Sequence, residues 1–253
     1  MHYIKPDVIK INDHRVFLII EAPNSKTSNL PLVLMCHGFT GNHIEVGRIF
    51  TDCSRELVKH GICTVRFDYY GHGNSDGLFE DFSISKAIED ALGVYEYIVE
   101  NVKPLRIGLL GLSLGGLIAL SIGAIKGVST IVLWSSVGPS WLKGLVSELL
   151  KKGNEYINLY GSWRIKRRNL EEIMKVNMEE FLPKVRVPTL LIYAADDNVT
   201  PLNNATEIYC KLTCKKELFI IEKGGHGFND PVSKKRVIEK TIDWFIKHLV
   251  KVQ

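Results

Sequence analysis

The sequence lacks the features that mark several whole classes of protein. No apolar run reaches the ~20 residues needed to cross a bilayer, and the opening Met1-His2-Tyr3-Ile4-Lys5-Pro6-Asp7 has no apolar core of a secretion signal. The expectation is a cytoplasmic protein with no membrane insertion. Cysteine is sparse and odd in number, with five residues at 36, 53, 63, 210 and 214. Cys36 and Cys63 fall in apolar, strand-like runs, where free thiols act as small hydrophobes. Cys210 and Cys214 could share a helix face, but no second Cys or His pair completes a metal site, so no metal is expected. An excess of one charge is also missing. Lys and Arg total 32 against 28 Asp and Glu, a net +4 with no dense basic block, which argues against a nucleic-acid partner. There are no repeats and no low-complexity tracts. What the chain has is 45% hydrophobic content over 253 residues, enough for one large α/β core with room for an insertion.

The organising stretch runs from Pro104 to Lys126. An apolar run, Leu105 to Leu110, reads as a buried strand. It ends in Gly111-Leu112-Ser113-Leu114-Gly115, and a small-residue helix begins at once. A serine in this G-x-S-x-G setting sits on a strained strand-to-helix turn with its hydroxyl exposed, and the glycines let neighbouring backbone pass close by. Ser113 is therefore the candidate nucleophile. A second match, Gly73-Asn74-Ser75-Asp76-Gly77, has no strand directly before it and no helix after it. Its Gly, Asn and Asp read as a polar turn.

In chain order, Asp7 to Ile11 and Arg15 to Ile20 predict an antiparallel hairpin around Asn12-Asp13-His14. Leu32 to Cys36 predicts a strand ending in His37-Gly38-Phe39-Thr40-Gly41. Glu45 to His60 predicts a helix stopped by Gly61, and Ile62 to Phe67 the next strand. Ser83 to Val99 predicts a helix capped by Ser83 or Ser85, and Ser129 to Trp134 a further strand. This alternation implies a mostly parallel sheet with helices on both faces, with ligands bound at the strand tips. It stops between Gly138 and Pro183, where helical patterning at Leu142–Leu150 and Leu170–Phe181 predicts a small inserted cap. Strand pattern resumes at Pro188 to Ala194 and at Glu217 to Ile221, with helices at Leu202 to Leu212 and from about Lys234 to Val250. The expected division is a core of residues 1–137 and 185–253, with a cap of 138–184.

A serine hydroxyl needs a base, and the base needs an orienting partner. In strand–turn–helix serine hydrolases the chain order is Ser, acid, His. Two histidines follow Ser113. His248 lies in the closing helix, whereas His226 follows a strand and is flanked by glycines, so His226 is the expected base. The only aspartates between Ser113 and His226 are Asp196 and Asp197, and either could hold the imidazole. The oxyanion formed in acyl transfer needs fixed N–H donors. Those of Leu114 and Phe39 are expected to supply them, with His37 and His72 as structural loop residues. Trp141, Tyr156, Tyr160 and Trp163 of the cap either line an acyl or aryl pocket or pack the cap itself.

Taken together, His37-Gly38-Phe39-Thr40-Gly41, Asp68 to Ser75, Gly111 to Gly116, Asp197-Asn198-Val199-Thr200-Pro201 and Gly225-His226-Gly227-Phe228 resemble the α/β-hydrolase superfamily over nearly the whole chain. Within it, the likeness is to bacterial cinnamoyl/feruloyl esterases and related acyl esterases, and less closely to monoacylglycerol lipases. The resemblance favours Asp197, because the family acid commonly lies four residues before a proline, here Pro201. Leu114 and Ala194 depart from the usual residues without removing a catalytic group. The resemblance implies an α/β-hydrolase fold and hydrolysis of small acyl or hydroxycinnamoyl-type esters through Ser113, His226 and Asp197. It implies no cofactor, a small-molecule ester as partner, and a chain compatible with a homodimer. Monoacylglycerol lipase, thioesterase, acyltransferase and peptidase chemistry use the same residues. A non-catalytic binding protein on this fold is the alternative of a different class.

Overall fold

In the computed structural model, which describes residues 2–152 and 155–250, the chain opens with β1 (Tyr3–Ile11) and β2 (His14–Ala22). They pair antiparallel from Tyr3–Ala22 to Ile11–His14, and Asn12 turns the hairpin with φ 53°. Then β3 (Pro31–Cys36), α1 (Ile49–Lys59), β4 (Cys63–Phe67), α2 (Ile84–Tyr97), β5 (Arg106–Leu112), α3 (Leu114–Ile125) and β6 (Thr130–Trp134) alternate. The chain next leaves the sheet through α4 (Pro139–Leu150), β7 (Tyr156–Asn158), β8 (Arg164–Lys166), α5 (Arg167–Met174) and α6 (Met178–Phe181). It returns as β9 (Thr189–Ala194), α7 (Asn203–Lys211), β10 (Lys216–Ile221) and α8 (Pro231–Phe245).

The main sheet has eight strands in the order β1-β2-β4-β3-β5-β6-β9-β10. β2 pairs antiparallel with both β1 and β4 and so alone runs against the rest of the sheet; from β4 to β10 every pairing is parallel. Period-two alternation feeds two cores from one strand. In β3, Leu32, Leu34 and Cys36 join the core on one face, while Val33 and Met35 join the core on the other. α2, α3 and α7 cover the first face, and α1 and α8 the second. Close cover demands small residues: a Cβ on Gly108 of β5 would lie 2.8 Å from the ring of Phe245 in α8. The Trp134 and Trp244 indoles are buried and satisfied, donating to Thr241 Oγ1 (3.0 Å) and Thr130 Oγ1 (2.8 Å).

Helix starts follow local chemistry. Ser83, rather than Ser85, caps α2 by accepting from Lys86 N–H, and Ser85 instead donates to Glu172 (2.7 Å). Asp230 caps α8 through Val232 and Ser233 N–H, with Pro231 in the first turn. Two elements differ from the sequence expectation. The helix predicted from Glu45 starts at Ile49, because Glu45, Gly47 and Arg48 have φ of 61°, 61° and 62°, which no right-handed helix accommodates. The inserted segment, expected to be helical, also contains the antiparallel hairpin β7–β8, whose strands of three residues each are too short to show periodicity.

β3 and β5 lie side by side, with Cys36 opposite Gly111. The chain leaves β3 toward β4 and leaves β5 toward β6, on the other side. This is the topological switch point of the sheet, the place where open parallel sheets bind their ligands. The His37 loop and Ser113 both leave from it.

Candidate active site

Ser113 joins β5 to α3 with φ 55° and ψ −119°, a conformation L-residues rarely adopt. The turn is held by its N–H, which donates to the Trp134 carbonyl of β6 at 2.8 Å. It also depends on what the glycines lack. A Cβ on Gly111 would lie 2.3 Å from the Gly115 carbonyl, one on Gly115 2.0 Å from the Cys36 carbonyl, and one on Gly116 2.3 Å from Ser136 Oγ. The Gly116 N–H closes on the Ser113 carbonyl at 3.0 Å, while the Leu114 N–H, first of α3, has no acceptor within the helix and lies at its positive end.

The β9 tip carries both candidate acids. The ring of His226 places Nδ1 3.0 Å from Asp197 Oδ2. Oδ1 of Asp197 accepts from Val199 N–H (2.9 Å) and Thr200 N–H (2.8 Å). The Thr200 hydroxyl stands 2.9 Å from Asp197 Oδ2 and 3.0 Å from the Ser135 carbonyl, so it buttresses the same carboxylate. Burial alone would raise the Asp197 pKa. The hydrogen bond and charge of His226, with the Thr200 N–H, outweigh it and hold the carboxyl below its ordinary value. Asp197 is thus an anion aimed at the imidazole. Asp196 turns elsewhere: its Oδ1 accepts from Gly224 N–H and Gly225 N–H, both at 2.9 Å, on the loop that carries His226. Among the described residues no hydrogen bond closes between the Ser113 hydroxyl and the His226 ring; such bonds are commonly long without substrate.

The loop after β3 packs against the serine. A Cβ built on Gly38 would lie 3.6 Å from Ser113 Cβ. His37 is fully buried, donates from Nδ1 to the Gly38 carbonyl (2.8 Å) and accepts Tyr69 N–H at Nε2 (3.2 Å). Burial pushes its pKa down to about 3, so the ring is neutral and that tautomer is fixed. His72 Nε2 donates to the Phe39 carbonyl (2.6 Å). Ser75 works as a turn, donating to the Asp68 carbonyl (2.6 Å) and accepting Phe17 N–H (2.9 Å). His248 packs against Trp244 at 4.2 Å between ring centres, on the extension of α8.

The four cap aromatics separate. The Tyr160 hydroxyl bonds to that of Thr40, next to Phe39. Trp163 packs on Phe79 (4.5 Å between centres), which in turn packs on Phe39 (5.2 Å). Tyr156 is exposed beneath the Arg164 guanidinium, and Trp141 is half-buried against the main core. Sequence reasoning missed Glu45 and Thr200 as supporting groups, and weighed Asp196 only as the alternative acid, whereas it holds the histidine loop. Glu45 reads as helix, and only the positive-φ stretch after Gly41 separates it from α1. Among the described residues no group of three or more His, Cys, Asp or Glu could hold a metal ion, and no helix is long and apolar enough to cross a membrane.

This combination defines the α/β-hydrolase fold: a mostly parallel sheet, a serine on a strained strand-to-helix turn and a His–Asp pair at neighbouring strand tips. A family model described as "Serine aminopeptidase, S33" matches residues 27–153, half of the chain, and the protein belongs to that family. The chain is 25% identical over 291 residues to an Escherichia coli protein described as an uncharacterized 31.7 kDa protein in the traX-finO intergenic region, covering 95% of this chain and 100% of that one. It is 23% identical to a monoglyceride lipase homolog of monkeypox virus, covering 87% of this chain and 90% of that one. A solved structure titled "Ferulic Acid bound to Est1E from Butyrivibrio proteoclasticus" superposes with a TM-score of 0.88 at 21% identity, covering 97% of this chain and 100% of the other. That likeness concerns the fold.

Proposed function

We propose that the protein hydrolyses carboxylic esters, with Ser113 as nucleophile, His226 as general base and acid, Asp197 as its orienting anion, and the N–H groups of Phe39 and Leu114 as oxyanion donors. Ser113 Oγ attacks the acyl carbonyl as His226 Nε2 takes the hydroxyl proton. The tetrahedral oxyanion accepts from the two backbone donors. His226 returns the proton to the leaving alcohol, and water repeats the sequence to free the acid and restore the serine. The observation that carries this reading is the buried Asp197 carboxylate 3.0 Å from His226 Nδ1, which commits Nε2 to the substrate side.

The residues 138–184 serve as a cap over the strand tips. Phe39, Phe79, Phe82 and Trp163 form an aromatic group running from the oxyanion loop to this cap. Phe79 and Phe82 are buried beneath the partly exposed Phe39 and Trp163, and an apolar face of that kind suits an aryl or short acyl group better than a polar one. The ferulic acid bound to Est1E and the monoglyceride named for the viral relative are both compatible with it. The Asp197 and Glu45 carboxylates are engaged by His226 and Gly38 and do not serve as partners for a peptide's terminal ammonium group.

The test is a substrate panel: p-nitrophenyl esters of increasing chain length, methyl ferulate, a monoacylglycerol and an aminoacyl p-nitroanilide, alongside fluorophosphonate labelling. The expected result is ester turnover, labelling lost in Ser113→Ala and strongly slowed in His226→Ala, and little action on the anilide. Absence of labelling at Ser113 would assign the chain to non-catalytic binding, and preference for the anilide would assign it to peptide chemistry.

A further inference from the structure

Glu45 is a buried carboxylate that the proposed reaction does not use. Its residue is 9% exposed, and its backbone stands at φ 61° and ψ 167°, a region otherwise left to glycine. Oε1 accepts Gly38 N–H at 2.6 Å and Oε2 accepts Val46 N–H at 3.2 Å. The space for that carboxylate exists because residue 41 has no side chain: a Cβ there would lie 2.3 Å from Glu45 Oε1. Burial raises the Glu45 pKa, against the pull of the Gly38 and Val46 N–H groups and of the charge on His226, which places the carboxylate within electrostatic reach of the base.

The geometry matters because of what it does to the next peptide. Gly38 has the widest backbone freedom of any residue type. Its N–H is held by Glu45, while its carbonyl accepts from His37 Nδ1 (2.8 Å) and Gly41 N–H (3.1 Å). The two planar peptides on either side of Gly38 are thereby fixed, and with them the two dihedrals between. The N–H of Phe39 belongs to the second plane and points opposite the held carbonyl. Releasing Gly38 N–H frees the first plane and lets the Phe39 N–H swing.

We infer that Glu45 is a positioning residue for the oxyanion donor: by holding Gly38 N–H it aims the Phe39 N–H at the space above Ser113. The inference rests on the serine-hydrolase reading given above. It also accounts for a glutamate being kept in a glycine conformation, since glycine would relieve the backbone but leave Gly38 unheld.

The test is Glu45→Gly, which removes the carboxylate and relaxes the backbone together. The expected result is a kcat lower by on the order of 10²-fold, the scale of losing one oxyanion donor. KM for a p-nitrophenyl ester should stay within about 3-fold, since the donor acts on the transition state, and Tm should be retained. Affinity for phenylboronic acid, whose serine adduct places an oxygen in the oxyanion position, should fall in step with kcat. A second variant works without touching Glu45: Gly41→Ala puts a methyl into the carboxylate's space and should give the same kcat loss. If both variants keep wild-type kcat and boronate affinity while the parent is labelled at Ser113 and turns over esters, the inference fails and the hydrolase reading stands. If only one folds, that one decides. If the parent itself is neither labelled nor active, the hydrolase reading fails first.

Discussion

Asp196 Oδ1 accepts the N–H of Gly225, and that of Gly224 beside it, at 2.9 Å each, one residue before the aspartate that meets His226. Two adjacent acids thus divide one task. Asp197 sets the tilt and tautomer of the imidazole, and Asp196 sets where the loop carrying it stands. Gly225, at φ 60°, lets the backbone turn its amide toward Asp196.

Substitutions at the two acids should separate these roles. Asp197→Asn is expected to lower kcat by about 10⁴-fold by presenting the wrong partner to Nδ1. Asp196→Ala should lower kcat/KM less, up to roughly 10²-fold, by letting the ring drift from the serine. Asp196→Asn should restore most of it, because an amide oxygen accepts the same two N–H groups. Steady-state hydrolysis of one p-nitrophenyl ester by all three variants checks the order, and equal losses at both positions would contradict the division.

The strain at Ser113 predicts a stability gain from an inactive variant. Its φ of 55° favours glycine, so Ser113→Gly is expected to be more stable than Ser113→Ala. The difference should be about 1 kcal/mol, or roughly 2–4 °C in Tm for a chain of this size. Both variants lack the Ser113 hydroxyl, so thermal unfolding compares backbone cost alone. Identical Tm values would mean the surroundings impose no strain.

His37 predicts the direction of acid sensitivity. Burial lowers its pKa from 6.5 to about 3, so between these values the unfolded chain holds a proton that the folded chain does not. Unfolding then takes up protons. The contribution is complete above pH 6.5 and falls as pH drops toward 3, at roughly 1.4 kcal/mol per pH unit. Burial also lowers the pKa of His72, which adds to the effect with the same sign. On going from about pH 7.5 to about pH 5.5, wild type should lose roughly 1 kcal/mol more than His37→Asn, read from urea unfolding.

The β7–β8 hairpin and the start of α5 are fastened to the segment around Phe79, which packs on Phe39. Arg164 Nε meets Glu80 Oε2 at 2.6 Å, Lys166 meets Asp81, and Asn169 Nδ2 donates to the Glu80 carbonyl at 3.0 Å. The two ion pairs are only partly buried, and each contributes about 1 kcal/mol or less to stability. Combining Glu80→Gln with Asp81→Asn should therefore leave Tm nearly unchanged. Loosening the seat of Trp163 on Phe79 should raise KM several-fold for methyl ferulate and leave p-nitrophenyl acetate almost unaffected. Equal effects on both esters would place Trp163 outside the substrate's path.

Much of the architecture is legible in local pattern. The continuous apolar runs at Leu32–Cys36 and Leu190–Ala194 are strands buried on both faces, and Gly111 to Gly116 marks the strained turn because only glycines tolerate backbone at that range. The hairpin β7–β8 is not legible: three residues carry no period, and its strands are defined by pairing with each other. The first turn predicted for α1 fails at Glu45, where positive φ comes from the tertiary role of its carboxylate and not from helix propensity.

By itself the sequence determined the backbone states that short stretches prefer, and so the order of strand tips, the turn at Ser113 and the loops that follow Cys36, Ala194 and Ile221. Only the tertiary structure decided which polar group meets which: Asp197 rather than Asp196 on His226, 29 residues apart, Asp196 on the histidine loop, and Glu45 on Gly38. The reason is physical. Dihedral preference and burial act within a few residues, whereas a hydrogen bond between strand tips exists only after the sheet has brought them within about 3 Å.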